Sequence, residues 1–323
     1  MVDNTATQSH HYVLVGEEST YGTEATTDKD VGLVQNFNFT EENGVKEIET
    51  VGDPVVSQLS GGRFKGTWSF PYYFQNGRLF EFLTGGTVTH AQTSSDWKHT
   101  FAMATDQIPF SMEHGLNLAT DVVRTFTGCK INSVEVSCSV DGTITCNANG
   151  VHANSYDTSS AASAVISTIP VLSAFESYVK TGTAASETEP TKVDSWKLTL
   201  TRTSTLLPVI NTRISPDATV DRLKIAFEFT KSFDTVAEYE RFKGGTSASA
   251  SASPTEFSVI FAADNGVTLG SGRREIYFQS SASLHAKYSE AIPLNGKVVQ
   301  TFTGMCAGFD SFYTVDNISS SNW

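Results

Sequence analysis

Alternation of apolar and polar side chains along the chain predicts β-strands. Residues 63–74 are the clearest case, because Phe64, Trp68 and Phe70 fall on one face while polar side chains such as Lys65 fall on the other. A strand with this pattern buries one face and leaves the other in water. The same period of two predicts further strands at residues 33–40, 97–104, 110–118, 223–233, 257–262 and 275–278.

Two short segments show helical spacing instead. Leu79, Phe82 and Leu83 fall on one side of a two-turn helix. Gly85 would end this helix, because glycine readily adopts the left-handed conformation found at helix C-termini. Residues 234–246 repeat the arrangement, with apolar side chains every three residues and a glycine stop. We therefore expect a mainly β fold with one short helix in each half.

The two halves of the chain resemble each other. When the sequence is shifted along itself so that Arg63 falls on Arg222, the two helical segments coincide; we call this shift the Arg63–Arg222 offset. A second shared string, residues 122–128 against residues 298–304, follows in the same order at a larger offset. Chance similarity in a chain rich in Ser, Thr and Gly is the alternative explanation. The agreement in order and spacing favours a tandem duplication.

The expected boundary between the duplicated domains lies in a stretch rich in Ser, Ala and Thr. The first domain would span residues 1–160 and the second residues 161–323. Residues 1–27 are polar, and we expect them to form an N-terminal arm or edge segment outside the core. Residues 319–323 are expected to be loose.

A hairpin is predicted at residues 134–146, and its register can be argued. A three-residue loop through Thr143 would place Val140 opposite Ile144 and Cys138 opposite Cys146. This register keeps every apolar side chain on the core side, whereas a two-residue loop would turn the apolar faces apart. The two cysteines would then be reduced cross-strand neighbours.

Two long connections interrupt the strand pattern at equivalent places in the two halves. They span residues 41–62 and 202–221 and carry turn signals but no core pattern of their own. Loops of this length in compact domains are usually functional, although a flexible surface loop is the alternative. We predict that both are arms that dock on a neighbouring subunit or ring, through Glu41, Glu42, Val45, Glu47, Glu49, Asp53, Leu206, Val209 and Ile214.

The net charge of −13 argues against binding of nucleic acid through its phosphates, which requires a surface rich in Lys and Arg. Moderate acidity otherwise serves solubility. The chain shows no secretory signal and no apolar run of membrane-spanning length, so we expect synthesis in the cytoplasm and no membrane insertion. Its four cysteines are too scattered for a disulfide framework and form no CxxC pair.

Catalytic and metal-binding patterns were sought and none was found. Glu113 and His114 are adjacent in a predicted strand, so their side chains would point to opposite faces and could not act together. A carbohydrate-active enzyme would need paired carboxylates in a cleft. The close candidates, Glu47 with Glu49 and Glu238 with Glu240, are better explained as solvated faces. We therefore predict no enzymatic activity, no cofactor and no metal site.

The order of elements resembles a known family. A polar arm with Tyr21-Gly22-Thr23, a strand, a long acidic loop, a glycine-bounded aromatic strand, a short helix ending in Gly-Gly and the segment 127–137 follow one another. This order is similar to that of the major tail tube proteins of long-tailed phages and related archaeal viruses. The resemblance implies a tail-tube-type β-sandwich or barrel in each duplicated domain, with an inner sheet that joins those of its neighbours in a ring.

By the same resemblance, rings would stack into a tube in the virion tail. The long acidic loop would be the stacking arm, and DNA would pass through a negatively lined interior without specific binding. The implied partners are other copies of the chain and the tape-measure, tail terminator and baseplate proteins. If each duplicated domain fills one of six positions, a trimer with pseudo-six-fold symmetry is favoured over a hexamer. A non-enzymatic virion decoration or surface-adhesion module is the alternative.

Overall fold

The computed structural model describes residues 11–49, 51, 55–56, 58–116, 122–158, 169–190, 192–248 and 254–323. In this part of the chain the structure is mainly antiparallel β, as the alternating pattern predicts, with two short α-helices. The elements of the first half are β1 His11–Glu17, β2 Lys29–Asp30, β3 Leu33–Val34, β4 Asn38–Glu42, β5 Lys46–Ile48, β6 Gln58–Ser60, β7 Lys65–Tyr73, α1 Arg78–Thr84, β8 Thr89–Thr93, β9 Asp96–Thr100, β10 Phe110–Leu116, β11 Val122–Ser139, β12 Thr145–His152 and β13 Asn154–Thr158.

The second half begins with a 3₁₀ turn at Ala174–Glu176. Its strands and helix are β14 Ser177–Gly182, β15 Val193–Thr201, β16 Ser204–Leu206, β17 Ala218–Val220, β18 Lys224–Ser232, α2 Ala237–Lys243, β19 Phe257–Asp264, β20 Glu275–Ala291, β21 Val299–Cys306 and β22 Ser311–Asp316.

Both helices end at the predicted glycines. Gly85 has a φ of 73° and Gly244 a φ of 78°, so both occupy the left-handed region that favours glycine. The predicted apolar side of the first helix is buried, and the Phe82 ring stacks on Phe110 with 4.6 Å between centroids. The spacing of apolar residues therefore located α1 and its packing face correctly.

One antiparallel sheet runs through both halves. Its strand order is β4, β7, β12, the second part of β11, β15, β18, β21 and the second part of β20. We call these eight strands the continuous sheet. The pairing of β11 with β15 joins the two halves, because β11 belongs to the first and β15 to the second.

A second layer covers one face of the continuous sheet. The first parts of β11 and β20 extend into this layer, where they pair with β10 and β13 and with β19 and β22 respectively. The core lies between the layers and is rich in aromatic side chains, which supply much apolar area for burial. Its members include Trp68, Phe70, Phe110, Phe126, Phe227, Phe229, Phe261 and Phe302.

The halves share their strand registers. In the first half Asn38 lies opposite Ser69, and in the second Lys197 lies opposite Glu228, so both partners are displaced by the Arg63–Arg222 offset. The bounds of β7 and β18, and those of α1 and α2, differ by this offset as well. The duplication itself stays a prediction.

The second shared string does not occupy equivalent places in the two halves. Residues 122–128 lie in β11 and pair with β10 and β13. Residues 299–304 lie in β21, which pairs with β18 and β20. The match between these two strings was therefore wrong as a structural alignment, because similar apolar alternation recurs on strands with different partners.

The predicted register of the 134–146 hairpin is wrong by two residues. Val136, and not Cys138, lies opposite Cys146. Cys138 instead pairs with Trp196 of β15, because β11 continues along the second half after β12 has ended. The two cysteines are free and buried on the core side, as expected, but Val140 is 57 % exposed in the loop.

Both ends of the described chain pack more closely than the sequence suggested. Tyr12, Val13, Leu14 and Val15 are buried in β1, so the expected N-terminal arm contributes to the core. The expectation of a loose segment at residues 319–323 was also wrong, because its tryptophan stacks on a buried histidine of β9 and is half-buried. An aromatic ring gains contact area and a hydrogen bond there, which polarity along the chain could not reveal.

Candidate assembly surfaces

Each of the two predicted arms contains a two-stranded hairpin. In the first arm β5 pairs with β6, and in the second β16 pairs with β17. Both hairpins are separate from the large sheet. Each lies between equivalent strands, β4 and β7 in the first half and β15 and β18 in the second. The structure therefore puts an arm at the same point of each half.

The predicted residues of the first arm occupy two different settings. Glu41 and Glu42 lie at its root in β4, where they face Gly66 and Lys65 across the β4–β7 pair. The remaining predicted residues that are described, Val45, Glu47 and Glu49, are exposed on the hairpin. Asp53 lies outside the described residues.

The first arm exposes an unusual amount of apolar surface. Val45 is 60 % exposed, Val55 70 % and Leu59 69 %, and all three belong to this one short arm. An isolated two-stranded hairpin is marginally stable in water. Clustered exposed apolar side chains mark interaction sites on soluble proteins. The composition of the arm therefore suits a surface that another molecule covers.

The second arm is smaller and better packed at its root. Leu206 is half-buried in β16 opposite the buried Ala218. Val209 and Ile214 are exposed near the tip, together with Ile210, which is 87 % exposed. The predicted residues of this arm thus divide into one root residue and two tip residues.

The two arms contact each other through hydrogen bonds. The partners of one of these bonds are 146 residues apart in the sequence. The amide of Phe64 donates to the carbonyl oxygen of Arg213 over 3.1 Å. The guanidinium of Arg213 donates in turn to Asn43 Oδ1 over 2.6 Å. The arms therefore form one apolar-tipped projection, which we call the paired arms.

Arg202 anchors the root of the second arm and was missed in the sequence. Its side chain is buried, and burial lowers the pKa of its guanidinium. Its Nη1 and Nη2 atoms donate to five carbonyl oxygens of the first half, those of Leu83, Thr84, Ala104, Thr105 and Asp106.

This arrangement ties the arm to α1. Leu83 and Thr84 belong to the last turn of the helix, where carbonyl groups have no partner within the helix. A guanidinium carries five N–H donors in a fixed plane and can serve several such carbonyls at once. A lone arginine in a polar loop gave no local signal of this role.

The continuous sheet has two further candidate surfaces at its edges. β4 pairs with β7 on one side, and no described strand pairs with its other side. The second part of β20 pairs with β21, and no described strand lies against its outer edge either. Open edges of this kind present unpaired N–H and C=O groups to another strand.

The carboxylates considered for catalysis do not form a cleft. Glu47 and Glu49 are exposed on the first arm. Glu238 is buried at α2, where it accepts hydrogen bonds from Thr181 and Arg241 and lies 3.2 Å from His285 Nε2. Burial raises the pKa of Glu238, but these three partners outweigh burial and hold the pKa at about 2. A carboxylate held in this way is a fixed structural charge.

The described ranges hold neither a metal-binding cluster nor a membrane-spanning helix. No three His, Cys, Asp or Glu side chains in those ranges come together in a group that could hold a metal ion. None of the helices there has both the length and the apolar character that crossing a bilayer requires.

Comparison with known families gives a match to the phage tail tube protein family over residues 9–306. The chain belongs to this family. The match covers both halves and both arms. A search of the curated proteins found no match.

Membership in the tail tube family gives the surfaces above a context. Tail tube proteins are structural proteins of the virion tail that assemble with copies of themselves and with other tail components, and they are not enzymes. The paired arms and the two open sheet edges are therefore candidates for self-assembly.

Proposed function

We propose that three copies of this tail tube protein form a ring with pseudo-six-fold symmetry and that these rings stack into the tail tube. The observation that carries the proposal is the continuous sheet, in which a four-stranded unit from the first half is joined by β11 and β15 to a four-stranded unit from the second. A sheet that already contains one junction between such units, and has an open edge at each end, can close through further copies.

Detailed agreement between the two units supports a tandem duplication. The pairing of β11 with β12 is interrupted between Ile131 and Ser133, and that of β20 with β21 between His285 and Lys287. One common shift, which we call the Ile131–His285 offset, relates both pairs of positions. Bulges are local features that change strand direction. The proposed domains, 1–160 and 161–323, meet within residues 159–168, which lie outside the described part of the chain.

The uncovered face of the continuous sheet would line the tube. The second layer would lie outside, because it forms two separate groups of strands, one with β10, β11 and β13 and one with β9, β19, β20 and β22, whereas the continuous sheet is unbroken. With eight strands from each of three chains spaced about 4.8 Å apart, the ring of backbones would measure about 37 Å across before strand tilt widens it. This width leaves room for duplex DNA.

The charge of this face bears on the expected lining of the tube. Its exposed positions are mostly small and polar, such as Thr40 and Thr67, and its charges have both signs. Lys197 Nζ lies 3.5 Å from Glu135 Oε2 on it, so part of that charge is paired. In place of the negatively lined interior that the family resemblance implies, we propose a nearly neutral, hydroxyl-rich lining. Such a surface offers DNA few fixed cations and thus little affinity.

The paired arms would make the contacts between stacked rings. In this proposal the apolar tips at Val45, Val209 and Ile214 insert into the adjacent ring, and Glu47 and Glu49 supply polar contacts at the rim. An interface with apolar side chains at its centre and charges at its edge has the composition expected of protein contacts. Glu41, Glu42 and Leu206 would position the arms from their roots, and Asp53 stays a predicted contact.

The proposed tube would assemble from protein made in the host cytoplasm. It would enclose a tape-measure protein, end at a terminator protein and rest on a baseplate. These partners follow from the proposed place in the tail. DNA would pass through during ejection without specific binding.

Electron microscopy of the purified protein tests the proposal directly. End-on views of stacked hollow rings should show three-fold rotational symmetry, with three chains in each ring. Strict six-fold rings of six chains would preserve the tube but contradict the trimer. Dispersed particles that do not stack would favour a decoration or adhesion module.

A further inference from the structure

The junction between the two halves has a defined register. Across β11 and β15, Ser133 lies opposite Thr201, Glu135 opposite Thr199, and Ser137 opposite Lys197. On the core side of the same pair, Val134 lies opposite Leu200 and Val136 opposite Leu198. All four of these apolar side chains are buried. Register is strongly specified where one face of a sheet is buried, because a one-residue slip would turn the apolar side chains outward.

The two open edges of the continuous sheet are the counterparts of this junction. β20 corresponds to β11 at the Ile131–His285 offset, since both strands carry their bulge at equivalent residues. β4 corresponds to β15 at the Arg63–Arg222 offset, since both lie in the same register against the next strand. At the edges, therefore, Lys287 takes the place of Ser133, and Glu42 takes the place of Thr201.

We propose that β20 of one chain pairs antiparallel with β4 of a second copy in the register of the internal junction. This places Lys287 opposite Glu42, Ser289 opposite Thr40, and Ala291 opposite Asn38 of the next chain. The inference rests on the proposed ring and specifies the lateral contact that closes it. The occupant of each edge is thus another copy of the same chain.

Charge complementarity favours this pairing. Lys287 and Glu42 are both exposed in the single chain. Directly opposite side chains in an antiparallel pair come within contact distance, and opposite charges there stabilise the pairing. The internal junction has uncharged Ser133 and Thr201 at the same position. The charge pair would thus distinguish contacts between chains from the contact within one chain.

The register also accounts for an apolar side chain that the single chain leaves in water. Ile292 follows β20 and is 74 % exposed. Its internal counterpart is Cys138, which is 6 % exposed and lies opposite Trp196. In the proposed contact Ile292 would lie opposite Phe37 of the next chain, a ring already packed on Phe70 and Phe126. Ring closure would therefore bury Ile292 against an existing aromatic cluster.

Disulfide trapping in assembled rings tests the register. Thr40 and Ser289 are both exposed, and the native cysteines Cys129, Cys138, Cys146 and Cys306 are all buried. The double variant T40C/S289C should form disulfide-linked dimers and trimers under mild oxidation. The matched variant N38C/S289C leaves the proposed charge pair intact and places the second thiol two residues away, so it should give several-fold less cross-linked product.

A charge exchange gives an independent measurement. The variants K287E and E42K should each reduce the fraction of protein in rings, and the double variant K287E/E42K should restore it. Rings that cross-link better in a shifted pair would overturn the register and leave the proposed function standing. A failure of the native protein to form any rings would overturn both.

Discussion

Arg202 Nη1 donates a hydrogen bond of 2.9 Å to the carbonyl oxygen of Thr84, although 118 residues separate them. Thr84 is the last residue of α1 in the first half, and Arg202 begins the arm of the second half. A single side chain therefore satisfies a helix end and fixes the origin of an arm. The arm and the core of the opposite half are coupled through this contact.

Replacing Arg202 by methionine should destabilise the protein by about 3 kcal/mol or more, because buried carbonyl groups would lose their donors. Urea unfolding at neutral pH measures the change. The control is R222M, because Arg222 is exposed near the other end of the same arm. A change for R202M as small as that for R222M would show that water replaces the guanidinium without cost.

Glu238 should make the stability depend on acid pH. Its pKa is about 2 in the folded chain, although burial acts to raise it, because His285, Arg241 and Thr181 favour the charged form. Its contribution to the free energy of unfolding is therefore complete above its pKa in the unfolded chain, near 4.3, and is lost as the pH falls towards 2. E238Q should lower the free energy of unfolding at pH 7 by about 2 kcal/mol, and the difference should shrink over that range.

Urea titrations between pH 7 and pH 2.5 would measure this difference. E240Q is a matched control, because Glu240 lies on the same helix and is half-exposed. If the two variants followed the same pH profile, the buried ion pairs of Glu238 would not carry the effect.

Glu81 should give the pH dependence of stability the opposite sign to that of Glu238. Burial raises its pKa to about 7, although it accepts a hydrogen bond of 2.6 Å from Trp323 Nε1. The folded state therefore favours the protonated form, and the contribution of this group to stability falls as pH rises from about 4.5 to 7. E81Q keeps an acceptor for Trp323 and carries no charge, so it should be more stable than the native protein at pH 8 by about 1–2 kcal/mol.

Thermal unfolding of native protein and E81Q at pH 4.5 and pH 8 provides the measurement. The two proteins should unfold at similar temperatures at the lower pH and separate at the higher one. Equal separation at both values would mean that packing around residue 81, and not its ionisation, sets the difference.

Local patterns predicted the elements of this fold well. The alternation around Trp68 and Phe70 located β7, because the period of a half-buried strand is visible in the sequence itself. Gly85 located the end of α1 for a similarly local reason. The positions of both arms also followed from turn residues and the absence of a core pattern.

Contacts between distant segments could not be predicted in the same way. The partner of Cys138 is Trp196 of the second half, so the local geometry of one hairpin gave the wrong register. Arg202 carries no motif, and its five carbonyl partners meet only after folding. The apolar tips of the arms were individually visible in the sequence, but their joint exposure required the structure.

The paired arms should control stacking without affecting the rings. The variant V45S/L59S removes two apolar side chains that are 60 % and 69 % exposed, so the isolated chain should lose little stability. If these side chains are covered by an adjacent ring, their loss should shift the protein from tubes to single rings. Sedimentation velocity and electron microscopy at equal protein concentration would measure the tube fraction.

V236S is the control, because Val236 is 49 % exposed and lies beside α2, outside the arms. Tubes of unchanged length in V45S/L59S would exclude the arm tip as a stacking contact, whereas loss of the rings themselves would assign the arms to lateral contacts instead.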